Sequence, residues 1–200
     1  MSLVARTLAV DTPGGPARVT LTRRGRHGLF VVGHGAGGGI DAADIVAVSQ
    51  ALADDGWTVA RVEQPYRVKG HRAPAPAPQL DAAWSAVIAA LKRERRGRLV
   101  VSGRSSGARV AVRTAEAVGA DAVVALAFPL HPPGKPERSR SEELAALTLP
   151  LLVVQGARDA FGTRAEFPKR RPVVEVPGDH SLKQDTAAVA TAVMGWLHTP

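Results

Sequence analysis

The chain has no cysteine. That absence removes disulfide frameworks, thiolate zinc sites and every cysteine nucleophile, so any covalent catalysis must use another atom. Aromatic residues are only 4% of the 200 positions, too few to interleave with basic side chains as a stacking platform for nucleic acid requires. Long apolar runs are missing as well. A bilayer span needs about 20 apolar residues, whereas the run from Ala122 to Leu130 is short and Pro129 interrupts it near its end. Arg6 and Asp11 break up the apolar residues near the N-terminus and no long apolar region follows; neither a membrane partner nor a secretory signal is expected, and the expected location is cytoplasmic. None of the 6 histidines forms a pair with the close helical spacing of a zinc site, so no metal is expected. Acidic residues are in deficit, 18 against 26 basic, for a net charge of +8. The basic residues are spread from Arg6 to Lys183, and their densest group, Lys92 to Arg98, sits where a helix is predicted to end, suiting the negative end of its dipole. A solvated basic surface accounts for this pattern and disfavours a nucleic-acid partner.

Apolar residues at 45% and charged residues at 22% argue against disorder. A chain of this length has room for one ordinary domain that buries roughly 70% of its unfolded surface, and no repeat or linker divides it, so one domain over residues 1–200 is expected. Short β-like runs alternate with helical stretches, which predicts an α/β fold with a mostly parallel central sheet and helices on both faces. Leu3 to Val10 and Ala17 to Thr22 read as an antiparallel hairpin around Thr12-Pro13-Gly14-Gly15-Pro16. After Arg23 to His27, strands are predicted at Leu29 to Val32, Trp57 to Val62, Arg98 to Ser102, Ala122 to Ala127, Leu151 to Val154 and Val173 to Val176. Helices are predicted over Ala43 to Asp54, Leu80 to Leu91, from the Ser105 turn to about Val118, Glu142 to Leu147 and Thr186 to Leu197, with an extended proline-rich loop from Ala73 to Pro78.

The strongest local signal is Gly103-Arg104-Ser105-Ser106-Gly107, a G-x-S-x-G between a predicted strand and a predicted helix. A nucleophile on so sharp a turn crowds the residues two before and two after it. With Ser105 at the apex both are glycine; with Ser106 they would be Arg104 and Ala108, and the arginine would clash. A glycine-rich anion-binding turn is the simpler alternative. A serine hydroxyl needs a base, and the base needs an orienting acid. Asp159 follows the strand Leu151 to Val154 and His180 follows the last strand, giving the order Ser, Asp, His at strand carboxyl ends. Asp179 is the rival acid, and His131 leaves a strand end but precedes Asp159. Two N–H donors are needed for an oxyanion. Ser106 is expected to supply one and Ala36, in His34-Gly35-Ala36-Gly37, the other, with Gly37 as its rival. A dinucleotide fingerprint ending in Glu63 competes for the same glycines, but leaves Ser105, Asp159 and His180 without a role. Candidate substrate-facing residues are His34, Gly37, Tyr66, Arg67, Leu130 and His131.

With these residues in place, roughly residues 28–197 resemble the α/β-hydrolase superfamily, and within it the small dienelactone-hydrolase-like branch related to the testis-expressed protein 30 family. The segments that carry the likeness are His34 to Gly39, Glu63-Gln64-Pro65-Tyr66, Phe128 to Pro136, Gly156 to Gly162 and Gly178-Asp179-His180-Ser181. The resemblance implies a triad of Ser105, Asp159 and His180. In this fold a lid is commonly inserted after the strand that here ends near Ala127, but only the proline-rich segment from Pro129 to about Arg140 separates that strand from the next helix, too short for a lid, so an uncapped domain is expected. Dienelactone hydrolases proper use a cysteine, so their lactone substrate does not carry over. The expected function is cofactor-free serine hydrolysis of an ester or related acyl bond in a small substrate. The alternatives are a non-catalytic scaffold of the same fold that binds protein or nucleic acid, and a nucleotide binder. The oligomeric state, the natural substrate and its leaving group are left open.

Overall fold

Leu29 to Val32 and Leu151 to Val154 contain no polar residue, a pattern suited to strands covered by helices on both faces. The computed structural model, which describes residues 5–22 and 25–199, has this arrangement. Leu3 and Val4 of the first expected strand, and Arg23 and Arg24 after the second, lie outside the described residues. In chain order the strands are β1 (Ala5–Val10), β2 (Ala17–Thr22), β3 (Gly28–Gly33), β4 (Thr58–Glu63), β5 (Arg98–Arg104), β6 (Ala122–Leu126), β7 (Leu151–Gly156) and β8 (Val173–Val176). They form one eight-stranded sheet in the order β1-β2-β4-β3-β5-β6-β7-β8. The β1–β2 hairpin is antiparallel with Val10 opposite Ala17, β2 is antiparallel to β4, and every other pairing is parallel.

The helices are α1 (Ala43–Asp54), α2 (Pro65–Val68), α3 (Ala77–Leu91), α4 (Ser106–Thr114), α5 (Ser141–Ala146) and α6 (Thr186–Leu197). Alternation along each strand divides the core between the two faces of the sheet. Val31, Val101, Ala125 and Val153 pack with Trp84 and Ile88 of α3, Ala111 of α4 and Leu144 of α5. Phe30, Val32, Val100 and Leu152 pack with Ile45 and Leu52 of α1 and with Val189 and Val193 of α6.

The boundaries depart from the sequence reading in instructive places. The proline-rich loop is shorter than expected because α3 starts at Ala77, and Pro78 fits its first turn, where a backbone N–H has no intrahelical acceptor to lose. Regular helix in α4 stops at Thr114, although the Val118 N–H still reaches the Thr114 carbonyl at 3.0 Å before Gly119 turns the chain at φ +69°. Strand β6 ends one residue early, since Ala127 adopts φ 47°. Among the described residues no helix is long and apolar enough to cross a membrane.

Trp84 is 1% exposed, and its ring fills the space over Gly33, where a Cβ would come within 3.1 Å of the indole. Trp84→Ala should therefore cost about 3–5 kcal/mol in urea unfolding. Val174→Thr, on the half-open edge strand, should change it by less than about 0.5 kcal/mol.

Candidate active site

The six parallel strands point their carboxyl ends to one edge, and the loops leaving β3, β5, β7 and β8 meet there. At the end of β5 the chain reverses at Ser105, which takes φ 54° and ψ −114° before α4 begins at Ser106. Such a conformation costs of order 1–3 kcal/mol in a residue with a side chain and persists only where the surroundings enforce it. Here they do. The Ser105 N–H donates to the Leu126 carbonyl at 2.9 Å on the neighbouring strand. A Cβ on Gly103 would stand 2.2 Å from the Gly107 carbonyl carbon, and one on Gly107 would stand 2.7 Å from the His34 oxygen. Both flanks of Ser105 must be glycine for simple lack of room.

Asp159 occupies the turn after β7 and is 2% exposed. Its carboxylate is held from several directions. Oδ1 accepts from the Phe161 N–H at 2.8 Å, and Oδ2 accepts from Gln155 Nε2 at 2.8 Å. His180, in the loop after β8, places Nδ1 at 2.8 Å from Asp159 Oδ2 and Nε2 at 2.8 Å from Ser105 Oγ. With Nδ1–H donating to the carboxylate, Nε2 carries the lone pair that accepts the serine hydroxyl proton. The ring of Phe161 stacks on the imidazole at 4.1 Å between centroids, tilted 28°.

Asp179 is exposed, and its carboxylate caps its own turn by accepting from the Ser181 N–H at 2.9 Å and the Ser181 hydroxyl. Those Ser181 bonds hold its pKa below the ordinary carboxylate value. The rival acid is thus committed to the turn.

The glycine-rich loop after β3 lies against the serine. A Cβ at Gly35 would come 3.4 Å from the Ser105 Cβ, and the loop is closed by the Gly38 N–H on the Gly35 carbonyl at 3.2 Å. Ser106 is the first residue of α4, so its N–H is one of the helix's amides without an intrahelical acceptor. The Ala36 carbonyl accepts from the Tyr66 hydroxyl at 2.9 Å, which fixes the peptide beside Ala36 from behind.

The sequence matches the family model described as an alpha/beta hydrolase domain over residues 26–196. The chain belongs to that family. Solved structures with the same fold include a lidless α/β serine hydrolase from Xanthomonas campestris, with 21% identity, 100% of this chain and 98% of that one covered, and a TM-score of 0.75. An esterase from Pyrococcus furiosus has 16% identity, 98% and 89% coverage and a TM-score of 0.78. A dienelactone hydrolase from Anabaena variabilis has 16% identity, 98% and 96% coverage and a TM-score of 0.73. No curated protein sequence matches significantly, so the narrower likeness to testis-expressed protein 30 rests on the sequence segments alone.

Several side chains expected to face a substrate in this α/β hydrolase sit elsewhere. His34 is 3% exposed; its Nδ1–H donates to the Gly35 carbonyl at 2.8 Å and its Nε2 accepts the Gln64 N–H at 3.1 Å. Burial lowers its pKa, and both nitrogens are spent on bracing the glycine loop. Tyr66 is likewise buried behind that loop, with its phenol pushed up to about 12 by burial. Leu130 is 2% exposed beneath Gly162. Arg67 is half-buried, with Nη1 3.4 Å from the His71 carbonyl, while Gly37 is exposed at the loop tip.

His131 is also enclosed. Nδ1 donates to the Pro132 carbonyl and Nε2 to Glu166 Oε2, each at 2.9 Å, and its N–H donates to the Phe161 carbonyl. Two residues were missed by sequence reasoning altogether. Gln155 had a signal, since it is a lone polar side chain in the apolar strand β7; Phe161 had none.

Both ring nitrogens face an oxygen acceptor, an arrangement that favours the protonated ring. Its pKa is raised, first by the Pro132 carbonyl and then by Glu166, while that of Glu166 is lowered, first by the Thr163 N–H and then by His131. A raised histidine pKa gives stability that is present below its ordinary value of about 6.5 and lost as pH rises through the higher folded value. The lowered Glu166 value keeps that contribution intact until pH falls well into the acid range. The urea midpoint of His131→Gln should therefore fall below wild type at pH 5.5 and converge toward it at pH 8.5. A gap that widens in alkali would contradict a histidine pKa raised by these contacts.

Proposed function

We propose that this chain is a cofactor-free serine hydrolase that cleaves an ester or related acyl bond of a small substrate through an acyl-enzyme. One observation carries the reading: His180 lies 2.8 Å from both Ser105 Oγ and Asp159 Oδ2, with a different ring nitrogen toward each. In the proposed reaction Ser105 Oγ attacks the acyl carbon as His180 Nε2 takes its proton. Asp159 fixes the tautomer and stabilises the imidazolium that forms. The carbonyl oxygen becomes an oxyanion received by the N–H groups of Ser106 and Ala36, each worth on the order of 3 kcal/mol in the transition state. His180 then gives its proton to the leaving group, the ester bond breaks, and water repeats the sequence to release the acid and restore Ser105.

The interval from β6 to α5 supports a small substrate. It holds the 3₁₀ turn Pro136–Arg138 and no lid domain. Without a cap there is little apolar wall for a long acyl tail, and each methylene left in water forgoes about 0.8 kcal/mol of binding.

A fluorophosphonate probe should label Ser105 and spare Ser106, as read by peptide mass mapping; an unmodified Ser105 in folded protein removes the hydrolase reading. Ser105→Ala and His180→Ala should each abolish turnover of p-nitrophenyl acetate. Asp159→Asn should lower it by up to about 10⁴-fold through the wrong imidazole tautomer. Double variants should lose little more than the worse single one, and multiplying losses would show that the residues do not act as one unit. Across p-nitrophenyl esters, kcat/KM should not climb with chain length; a steady rise from acetate to palmitate would demand an apolar channel that the short β6–α5 interval does not provide.

A further inference from the structure

A buried charge pair behind the nucleophile turn has no part in the chemistry described so far. Asp44, in the first turn of α1, is fully buried, and Arg104, the last residue of β5, keeps only 15% of its side chain exposed. Arg104 Nε lies 3.3 Å from Asp44 Oδ2, but off the line of a hydrogen bond, so the pair is held by charge. A charge in such surroundings is costly unless paired, and burial does push the Asp44 carboxyl upward, with Arg104 the main opposing influence. A leucine-sized apolar pair would fill this space without that cost, so the charges call for a reason.

The other arms of the guanidinium supply it. Nη2 donates to the His180 backbone carbonyl at 3.0 Å. Nη1 runs along the glycine loop, where a Cβ at Gly35 would stand 3.2 Å away and one at Gly38 3.8 Å away. One planar fork thus touches the loop of the base and the loop of the expected oxyanion donor, from the residue next to Ser105. Its position is set from the rear by Asp44.

We infer that Arg104, anchored by Asp44, is the positioning residue that sets the His180 loop and the glycine loop relative to Ser105. This rests on the hydrolase reading. Arg104 meets no substrate in it; the effect passes through the His180 carbonyl. A lysine could satisfy either Asp44 or that carbonyl with its single ammonium, but could not span both as a guanidinium does.

The test uses Arg104→Met, Arg104→Lys and Asp44→Asn in the full chain, with p-nitrophenyl acetate as substrate. Misplacing a base by about 1 Å costs up to about 100-fold, so each variant should lose about 10- to 100-fold in kcat with KM nearly unchanged. The downfield proton signal of the His180 Nδ1–H should broaden or vanish while the rest of the amide spectrum stays dispersed. Combining Arg104→Met with Asp44→Asn should add little, because the two act through one contact. Where Arg104→Met fails to fold, Asp44→Asn, of nearly identical shape, decides.

Wild-type kcat and an intact His180 signal in Asp44→Asn or Arg104→Met overturn the inference, as does full activity in Arg104→Lys. A rise in KM at constant kcat would make Arg104 a substrate contact instead, and also overturns it. Fluorophosphonate labelling of the wild-type protein separates the two levels: an unlabelled Ser105 removes the hydrolase reading and this inference with it, whereas a labelled Ser105 with unaffected variants removes the inference alone.

Discussion

Everything at the sheet edge depends on the chain reversing at Ser105 with no room for a side chain at Gly103 or Gly107. The reversal forces a positive φ on a serine, lifts its hydroxyl clear of the strand, and turns the first amides of α4 toward the same space. A single steric constraint therefore delivers a hydroxyl and a potential anion-binding N–H side by side. The loop after β3 can lie this close to the turn because Gly35 has no side chain, where a Cβ would stand 3.4 Å from the Ser105 Cβ.

That constraint is legible in the sequence because it is expressed in residue identity. A glycine two positions either side of a serine, between an apolar run and a helical run, encodes space directly. The parallel sheet was legible for a related reason: strands buried on both faces must be apolar throughout, as at Leu29 to Val32. Asp159 and His180 could be located by chain order, since loops after β7 and β8 must emerge at the edge reached by β5. Helix ends were less legible. Pro78 looked like a loop residue because its cost inside a helix is well known, yet a first turn exacts none.

The histidines show where the sequence stops speaking. His34 and His131 both stand just past strand ends, the position in which a substrate contact is expected. Each instead spends both ring nitrogens on nearby groups, His34 on Gly35 and Gln64, His131 on Pro132 and Glu166. What separates them from His180 is burial and the partners supplied by distant segments, neither of which is written locally. Gln64 is 30 residues from His34, and Glu166 is 35 from His131. Arg104 was legible only as a residue too large for the flank of a turn, and its link to His180 spans 76 positions.

Among the described residues no lid domain covers this edge, so the order of its loops must come from below. The loops after β3, β7 and β8 each have such a support: Tyr66 under Ala36, Gln155 under Asp159, and Arg104 under His180. All three supports are hydrogen bonds to backbone carbonyls or to a carboxylate in buried or half-buried surroundings, where such bonds are stronger than in water and an unmade one is costly. They fix geometry without a bound ligand, the condition that the proposed hydrolysis requires of oriented dipoles that lower a barrier without reorganising. The open edge and the buried braces are thus one arrangement. The positions of Ser105, Asp159 and His180 are set on their inner side, which leaves the outer side of the edge uncovered.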